Sequence, residues 1–158
     1  MQRSILALVI ALACRASVWA DTHKVPEENT VATVEAPDSW KAEDDERGIE
    51  LGSDDGEVYI AVQVIDAKGE KAMEEAARYL KKKGVTLDDK PARIDDSQKD
   101  RVLVSWDGKD EEGPAKIQLM VLNANQEKAV LFICWASPDG EKKHEEEIAA
   151  IARSVKKS

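Results

Sequence analysis

The chain has 158 residues and a formal net charge of −9, with 32 acidic side chains against 23 basic ones. This length fits a single domain, and the excess of acid repels nucleic-acid phosphates and anionic lipid head groups, which argues against nucleic acid as a partner. Of the two cysteines, Cys14 falls in an N-terminal segment that is expected to be removed, which leaves Cys134 without an internal disulfide partner, so a hydrophobic core must hold the fold.

The first 20 residues have the pattern of a secretory signal peptide. Arg3 precedes an apolar run at 5–13, which is too short to span a bilayer as a helix, since spanning takes roughly 20 residues. Val18 and Ala20 stand at the two positions that a signal peptidase reads, which predicts cleavage after Ala20. Removing 1–20 takes two arginines and no acid, so the net charge falls by two, from −9 to −11. We expect the mature chain to be periplasmic or secreted.

Cys14 leaves a second possibility open for the N-terminus. A lipoprotein signal has a residue such as leucine three positions before its cysteine, whereas this chain has Ala11 there and Leu12 one position later. Arg15, directly after the cysteine, also departs from that pattern. Simple export is therefore favoured. The alternative is a lipid-anchored envelope lipoprotein with a structural or assembly role, and membrane attachment would require acylation of Cys14.

The first half of the mature chain is predicted to be mostly strand. Segment 21–29 is polar with one proline and is expected to be a flexible leader, so the folded domain is expected to span 30–158. A strand at 30–37 ends in proline, and two short strands in DSWKAED and GIELGS are closed off by a turn at 53–56. EVYIAVQVID, at 57–66, is apolar on both faces, which is typical of a strand in the middle of a covered sheet.

A helix and a meander of strands follow. A helix is predicted at 69–84, with Met73, Ala76, Ala77 and Leu80 facing inward, three lysines in its last turn and a glycine that ends it. After a weakly patterned stretch with a short edge strand near 92–94, three strong strands are separated by short turns and predict an antiparallel meander. These strands are RVLVSW, AKIQLMVLN and KAVLFICWA.

The chain closes with one long predicted helix. Ser137 is its expected N-cap and Pro138 its first residue, with an inward stripe that includes Ile148, Ile151 and Val155. Two helices and about seven strands, the central ones buried on both faces, predict an α+β domain. We expect a three-layer α/β/α sandwich around a mostly antiparallel sheet.

The order of these elements resembles a known family. VEAPDSW leads through a hairpin and a long strand into an alanine-rich helix, and the meander with GPAKIQLMVL and KAVLFICWA precedes a helix that begins at SP. Over 30–155 this resembles the PsbP-like family (Mog/PsbP fold), which includes small exported bacterial proteins of the DcrB type. The resemblance implies the sandwich fold and a binding or accessory role. It carries no catalytic motif, so no site residue is transferred.

Two motifs that suggest metal sites do not complete their patterns. HEEEI, at 144–148, begins like the zinc-protease helix motif, but Ile148 stands where the second histidine is needed. His23 falls in the expected leader, and His144 is interpreted as a histidine at the boundary of the core. SDDGE and DGKDEEG fail as calcium loops and are interpreted as hairpin turns, although weak binding of divalent ions by the acidic surface stays open. We therefore predict no metal site.

No pattern of catalytic or cofactor-binding residues occurs either. The chain contains no nucleophile elbow, phosphate loop or dinucleotide fingerprint, so no cofactor is predicted. Cys134 lies in the apolar run AVLFICWA and is predicted to be a buried hydrophobe, with a reactive thiol or an intermolecular bridge as the alternatives. Trp135, in the same run, is predicted to lie in the core.

These observations favour an exported, soluble accessory or binding protein without catalytic activity, with a protein partner in the cell envelope. Trp40 and Trp106 fall near strand ends beside acidic residues, which makes them candidates for partner binding. The alternative for both tryptophans is that they cap the core. An enzyme with an unfamiliar site is the remaining alternative class.

Overall fold

The computed structural model describes residues 20–158. Apart from Ala20, the predicted signal peptide, with Cys14 and Val18, lies outside the described residues. In chain order the elements are β1 (Ala20–Val25), β2 (Ala32–Pro37), β3 (Lys41–Asp45), β4 (Gly48–Gly52), β5 (Val58–Ile65), α1 (Glu70–Lys82), β6 (Thr86–Leu87), β7 (Arg93–Asp95), β8 (Arg101–Asp110), β9 (Gly113–Asn123), β10 (Ala129–Ala136), α2 (Pro138–Lys143), α3 (Glu145–Ser154) and β11 (Lys156–Lys157).

An eight-stranded antiparallel sheet forms the centre of the domain. Its strand order is β3-β4-β5-β10-β9-β8-β6, and β7 also pairs with β8. All eight residues of β10, the middle strand, are buried, which confirms the prediction of strands covered on both faces. The edge strand β3 is exposed at four of its five residues and carries Glu43, Asp44 and Asp45.

Side chains alternate between the two faces of the sheet and contribute to two separate hydrophobic cores. One core contains Phe132 of β10 with Ile148 and Ile151 of α3. The other contains Leu131 and Ile133 of β10 under α1. Both faces are therefore covered, and the three-layer α+β architecture is confirmed. Within α1, the buried residues are Ala72, Ala76 and Leu80, which lie four apart on one helix face, whereas Ala77 is exposed rather than inward as predicted.

The N-terminal segment differs from the expected flexible leader. Residues Ala20–Val25 form β1, which pairs antiparallel with β2 from Ala20 opposite Pro37 to Val25 opposite Ala32. With β11, these strands make a separate three-stranded sheet rather than part of the main one. Val25, Ala32 and Val34 bury themselves in the core shared with α3. The sequence did not predict β1, because the strand is mostly polar and only its last residue is fully buried.

The C-terminal helical region is two helices, not one. Ser137 caps α2 as predicted, with its hydroxyl accepting a hydrogen bond from the Gly140 amide at 2.9 Å. The helix is interrupted at His144, where φ is −105° and ψ is 16°, before α3 begins. Within 20–158, no helix is long and apolar enough to cross a membrane.

Candidate functional site

The imidazole of His144 is held between two carboxylates. Only 5% of the residue is exposed, so it is buried rather than at the boundary of the core. Its Nδ1 lies 2.9 Å from Oε1 of Glu147, and its Nε2 lies 2.9 Å from Oδ2 of Asp55. Two carboxylate acceptors suit an imidazolium that donates from both nitrogens. Burial by itself would lower the pKa of His144, but Asp55 and Glu147 outweigh it and raise the pKa above its ordinary value.

Around this histidine, further polar contacts join three parts of the chain. Trp40 donates from Nε1 to the other oxygen of Glu147 at 2.7 Å, and its ring meets His144 edge-on at 5.9 Å between centroids. Asp55 accepts hydrogen bonds from the Lys143 ammonium at 2.5 Å and from Ser53 Oγ at 2.7 Å. Lys143 and His144 hold the pKa of Asp55 well below its usual range. We call these six residues the histidine network (Trp40, Ser53, Asp55, Lys143, His144 and Glu147).

The histidine network is poorly suited to a metal ion. Asp54, Asp55 and His144 each offer one ligand atom within 4.8 Å of the others. However, Lys143 already binds Asp55, and a cation at Nε2 of His144 would have to displace both the proton there and this ammonium. The chemistry of the group is therefore that of an ion-pair network linking the β4–β5 turn, the break between α2 and α3, and the corner after β2.

The two tryptophans proposed for partner binding lie on opposite faces of the sheet. Trp40 is 6% exposed and belongs to the core shared with α3, which fits the alternative that it caps the core. Trp106, on β8 opposite Ile117, is half-buried and packs against the core under α1. The structure does not bring them into one groove, and only Trp106 keeps appreciable accessible surface.

Cys134 is buried in β10, as predicted, and burial raises the pKa of its thiol. We expect a maleimide reagent to leave the folded protein unmodified over hours and to label it fully in denaturant, as followed by intact mass. Rapid labelling of the native protein would contradict this burial.

A shallow groove beside the C-terminus of α1 was not predicted from the sequence. Tyr59 is 42% exposed and stacks on Trp135, with ring centroids 5.4 Å apart and planes at 18°. Tyr79 of α1 meets Trp135 edge-on at 6.1 Å. The space lined by the Tyr59 and Trp135 rings is about 300 Å³, and we call it the aromatic groove. It is lined by Glu50, Leu51, Tyr59, Ile60, Lys83, Asp110, Glu111, Glu112 and Trp135.

The two walls of the aromatic groove differ in charge. On the α1 side, the Lys83 ammonium and the Tyr79 hydroxyl both bind Oε1 of Glu50 at 2.7 Å. Burial would raise the pKa of Glu50, but these two donors lower it. On the other side, Asp110, Glu111 and Glu112 form the tip of the β8–β9 hairpin and make no ion pair within 20–158. The groove is therefore neutral on one wall and acidic on the other.

A second cleft, between the β3–β4 hairpin and α1, is larger at about 510 Å³ but is spanned by its own ion pairs. Arg47 and Arg78 both bind Glu75, at 3.0 and 2.6 Å. Gln63, on its floor, donates to Asp45 at 3.1 Å. These groups already satisfy one another, so we take the aromatic groove as the candidate functional site.

The doubly covered antiparallel sheet defines the chain as an α+β sandwich, and solved structures share this fold. The chain is similar to cyanobacterial PsbP (CyanoP) from Synechocystis sp. PCC 6803, with a TM-score of 0.59 and 11% identity, covering 92% of this chain and 98% of that one. It is also similar to the Saccharomyces cerevisiae Ran-binding protein Mog1p, with a TM-score of 0.57 and 10% identity, covering 87% and 96%. A third similar structure is LpqN, involved in cell envelope biogenesis of Mycobacterium tuberculosis, with a TM-score of 0.54 and 10% identity, covering 88% and 91%.

These likenesses confirm the predicted fold: the chain adopts the PsbP/Mog1-like fold. At identities of 10–11%, they show the fold alone. No protein-family model matches the chain, and no curated protein matches its sequence.

Proposed function

We propose that this protein is an exported accessory protein that binds a protein partner in the cell envelope and has no catalytic activity. The observation that carries the proposal is the open aromatic groove, in which Tyr59 is 42% exposed above Trp135. Exposed aromatic side chains with a polar rim are typical of protein-binding surfaces, whereas small-molecule sites enclose their ligand.

The environments of Cys134 and His144, the side chains best suited to covalent or acid–base chemistry, favour a binding function over a catalytic one. Cys134 lies in the core with a raised pKa, which keeps its thiol protonated and away from solvent. His144 has both ring nitrogens occupied by carboxylates, so neither is free to take a proton from a substrate. Two of the similar structures also support this proposal: Mog1p is a Ran-binding protein, and LpqN is involved in cell envelope biogenesis.

Partner binding by Trp106 belongs to the same proposal. Its ring is half-buried on the α1 face of the sheet, and Asp107 and Lys116 beside it form a 2.5 Å ion pair. The aromatic groove is the stronger candidate, because its ring is more exposed and its acidic wall has no ion pair within the described part of the chain.

Export is tested by the mass of the mature protein purified from its native host. We expect a chain that begins at Asp21, because Val18 and Ala20 fit the peptidase positions while Leu12 and Arg15 fit a lipoprotein signal poorly. A diacylglyceryl mass on Cys14 would instead establish the lipid-anchored alternative. A chain that retains residues 1–20 and stays in the cytoplasm would contradict export.

A further inference from the structure

We infer that the aromatic groove binds an arginine side chain carried by a basic segment of the protein partner. This rests on the proposed partner-binding function and names the chemistry of the partner. The groove is lined by two stacked aromatic rings. Tyr59 and Trp135 are stacked nearly parallel, and Tyr59 is still 42% exposed to solvent. A guanidinium is flat, is weakly hydrated and stacks on aromatic faces, so this surface suits it.

The charges around the groove select a cation. Asp110, Glu111 and Glu112 line one wall without an ion pair in the structure from Ala20 onward. The ammonium of Lys83, which also lines the groove, is bound to Glu50 and lies 5.5 Å from the centre of the Tyr79 ring. The three acidic residues are thus left with their charge uncompensated, and they line the same groove as the Tyr59 ring on which a cation would stack.

The positions of the wall residues are fixed by the backbone. Asp110 accepts hydrogen bonds from the amides of Glu112 and Gly113, at 2.9 and 3.1 Å, which holds the tip of the hairpin. The Glu111 side chain lies against Gly84, 3.3 Å from where a Cβ would stand. The backbone of the hairpin tip is therefore held beside the groove before any partner arrives, which reduces the entropy that binding costs.

Size and charge together favour one arginine over other occupants. A volume of about 300 Å³ holds a long side chain but not a folded element. A lysine would satisfy the carboxylates, but its ammonium cannot stack as a plane or bind a carboxylate through two parallel hydrogen bonds. The net charge of −9 repels acidic partners and steers basic ones toward the surface.

The proposal is tested by titrating the purified protein with acetyl-Gly-Arg-Gly-amide and following backbone and indole resonances by NMR. We expect saturable shifts concentrated at the groove, with a dissociation constant in the millimolar range. The citrulline counterpart has nearly the same shape without the charge, and we expect it to bind at least 5-fold more weakly. Equal affinity for the two peptides, or shifts spread over other surfaces, would overturn the assignment.

Two pairs of variants localise the binding. Tyr59→Ser is expected to weaken binding of the arginine peptide about 10-fold. Ile94→Ser changes the other large hydrophobic residue that is exposed within 20–158 and is expected to leave binding unchanged. Glu111→Gln with Glu112→Gln is expected to weaken binding about 5-fold. Glu145→Gln with Glu146→Gln makes the same change of net charge on α3 and should have no effect. Equal losses in the two double variants would mean that only the overall charge attracts the peptide.

Crosslinking in cells separates this inference from the proposed function. A photo-crosslinking residue is placed at position 59 or at position 94, and crosslinked peptides are sequenced. A partner peptide containing arginine, captured from position 59 and not from 94, supports the groove. A partner captured only from position 94 overturns the groove but leaves the proposed function standing. No captured partner from either position, or from position 106, contradicts the proposed function itself.

Discussion

Replacing His144 by alanine is expected to lower the free energy of unfolding by about 3 kcal/mol near pH 6, because two charge-assisted hydrogen bonds are lost together. Their partners, Asp55 and Glu147, belong to the β4–β5 turn and to α3, so the variant also releases two parts of the chain from one another. Chemical denaturation of wild type and variant measures the difference. A loss below about 0.5 kcal/mol, the range of ordinary surface substitutions, would show that the imidazole does not hold these elements together.

The same histidine makes stability depend on pH with a definite sign. Its pKa is raised in the folded state, so its contribution is complete below the ordinary histidine pKa of about 6.5 and is lost as pH rises through the folded value. Asp55 acts in the opposite sense. Its lowered pKa gives a contribution that is present above the ordinary aspartate value and is lost as pH falls through the folded value. The histidine network therefore stabilises the fold most at pH values above the ordinary aspartate pKa and below the ordinary histidine pKa.

His23 provides the matched control, because it is the other histidine of the chain and lies half-buried on β1. Between about pH 5 and pH 9, we expect wild type and His23→Ala to lose stability in parallel, while His144→Ala loses clearly less. Parallel curves for all three proteins would show that the imidazole is not doubly paired as a cation.

A methyl group added at Gly48 is expected to destabilise the domain by about 3 kcal/mol, at the upper end of the cost of overpacking. The position of its Cβ would lie 1.9 Å from the carbonyl oxygen of Val62, a backbone atom on the neighbouring strand that cannot move without breaking the β4–β5 pairing. Gly52, at the other end of β4, has nothing within 4 Å of the corresponding point.

Gly52→Ala is therefore the control for Gly48→Ala, and we expect its free energy of unfolding to stay within about 0.5 kcal/mol of wild type. Thermal melts and chemical denaturation of the two variants provide the comparison. Similar losses in both would mean that β4 tolerates no side chain at either end, and that the close approach at Gly48 is not the cause.

The strands and helices that the sequence predicts well are those with strong apolar patterns. β5 and β10 are apolar on both faces, and this reflects directly that they lie in the middle of the sheet with a layer on each side. β1 escapes prediction because the small sheet buries only its last residue, Val25, completely. The break at His144 also has no local signal, since proline and glycine are absent from 141–148 and the helical pattern continues through it.

The candidate site depends on contacts between residues far apart in the chain. Tyr59 and Trp135 are 76 positions apart and meet only because β5 and β10 pair in one particular register. Similarly, Asp55 and His144 are separated by 89 positions. Glu147 is the one partner of His144 at helical spacing, so HEEE could have suggested that single pair. Trp40 lies next to the start of β3, as predicted, whereas Trp106 lies within β8, because that strand continues to Asp110 instead of ending at the tryptophan. Sequence alone could not tell which faces of the sheet the two rings occupy.

The exposed edge strand β3 has a consequence for how copies of this protein behave at high concentration. A sheet edge with free amide and carbonyl groups is a template on which another chain can add, and such addition is how many β-rich proteins form fibrils. Two copies meeting along β3 would pair strands about 4.8 Å apart, each of which carries Glu43, Asp44 and Asp45. Repulsion between these acidic side chains opposes such pairing, so the composition of β3 protects the open edge of the sheet from the addition of a second copy.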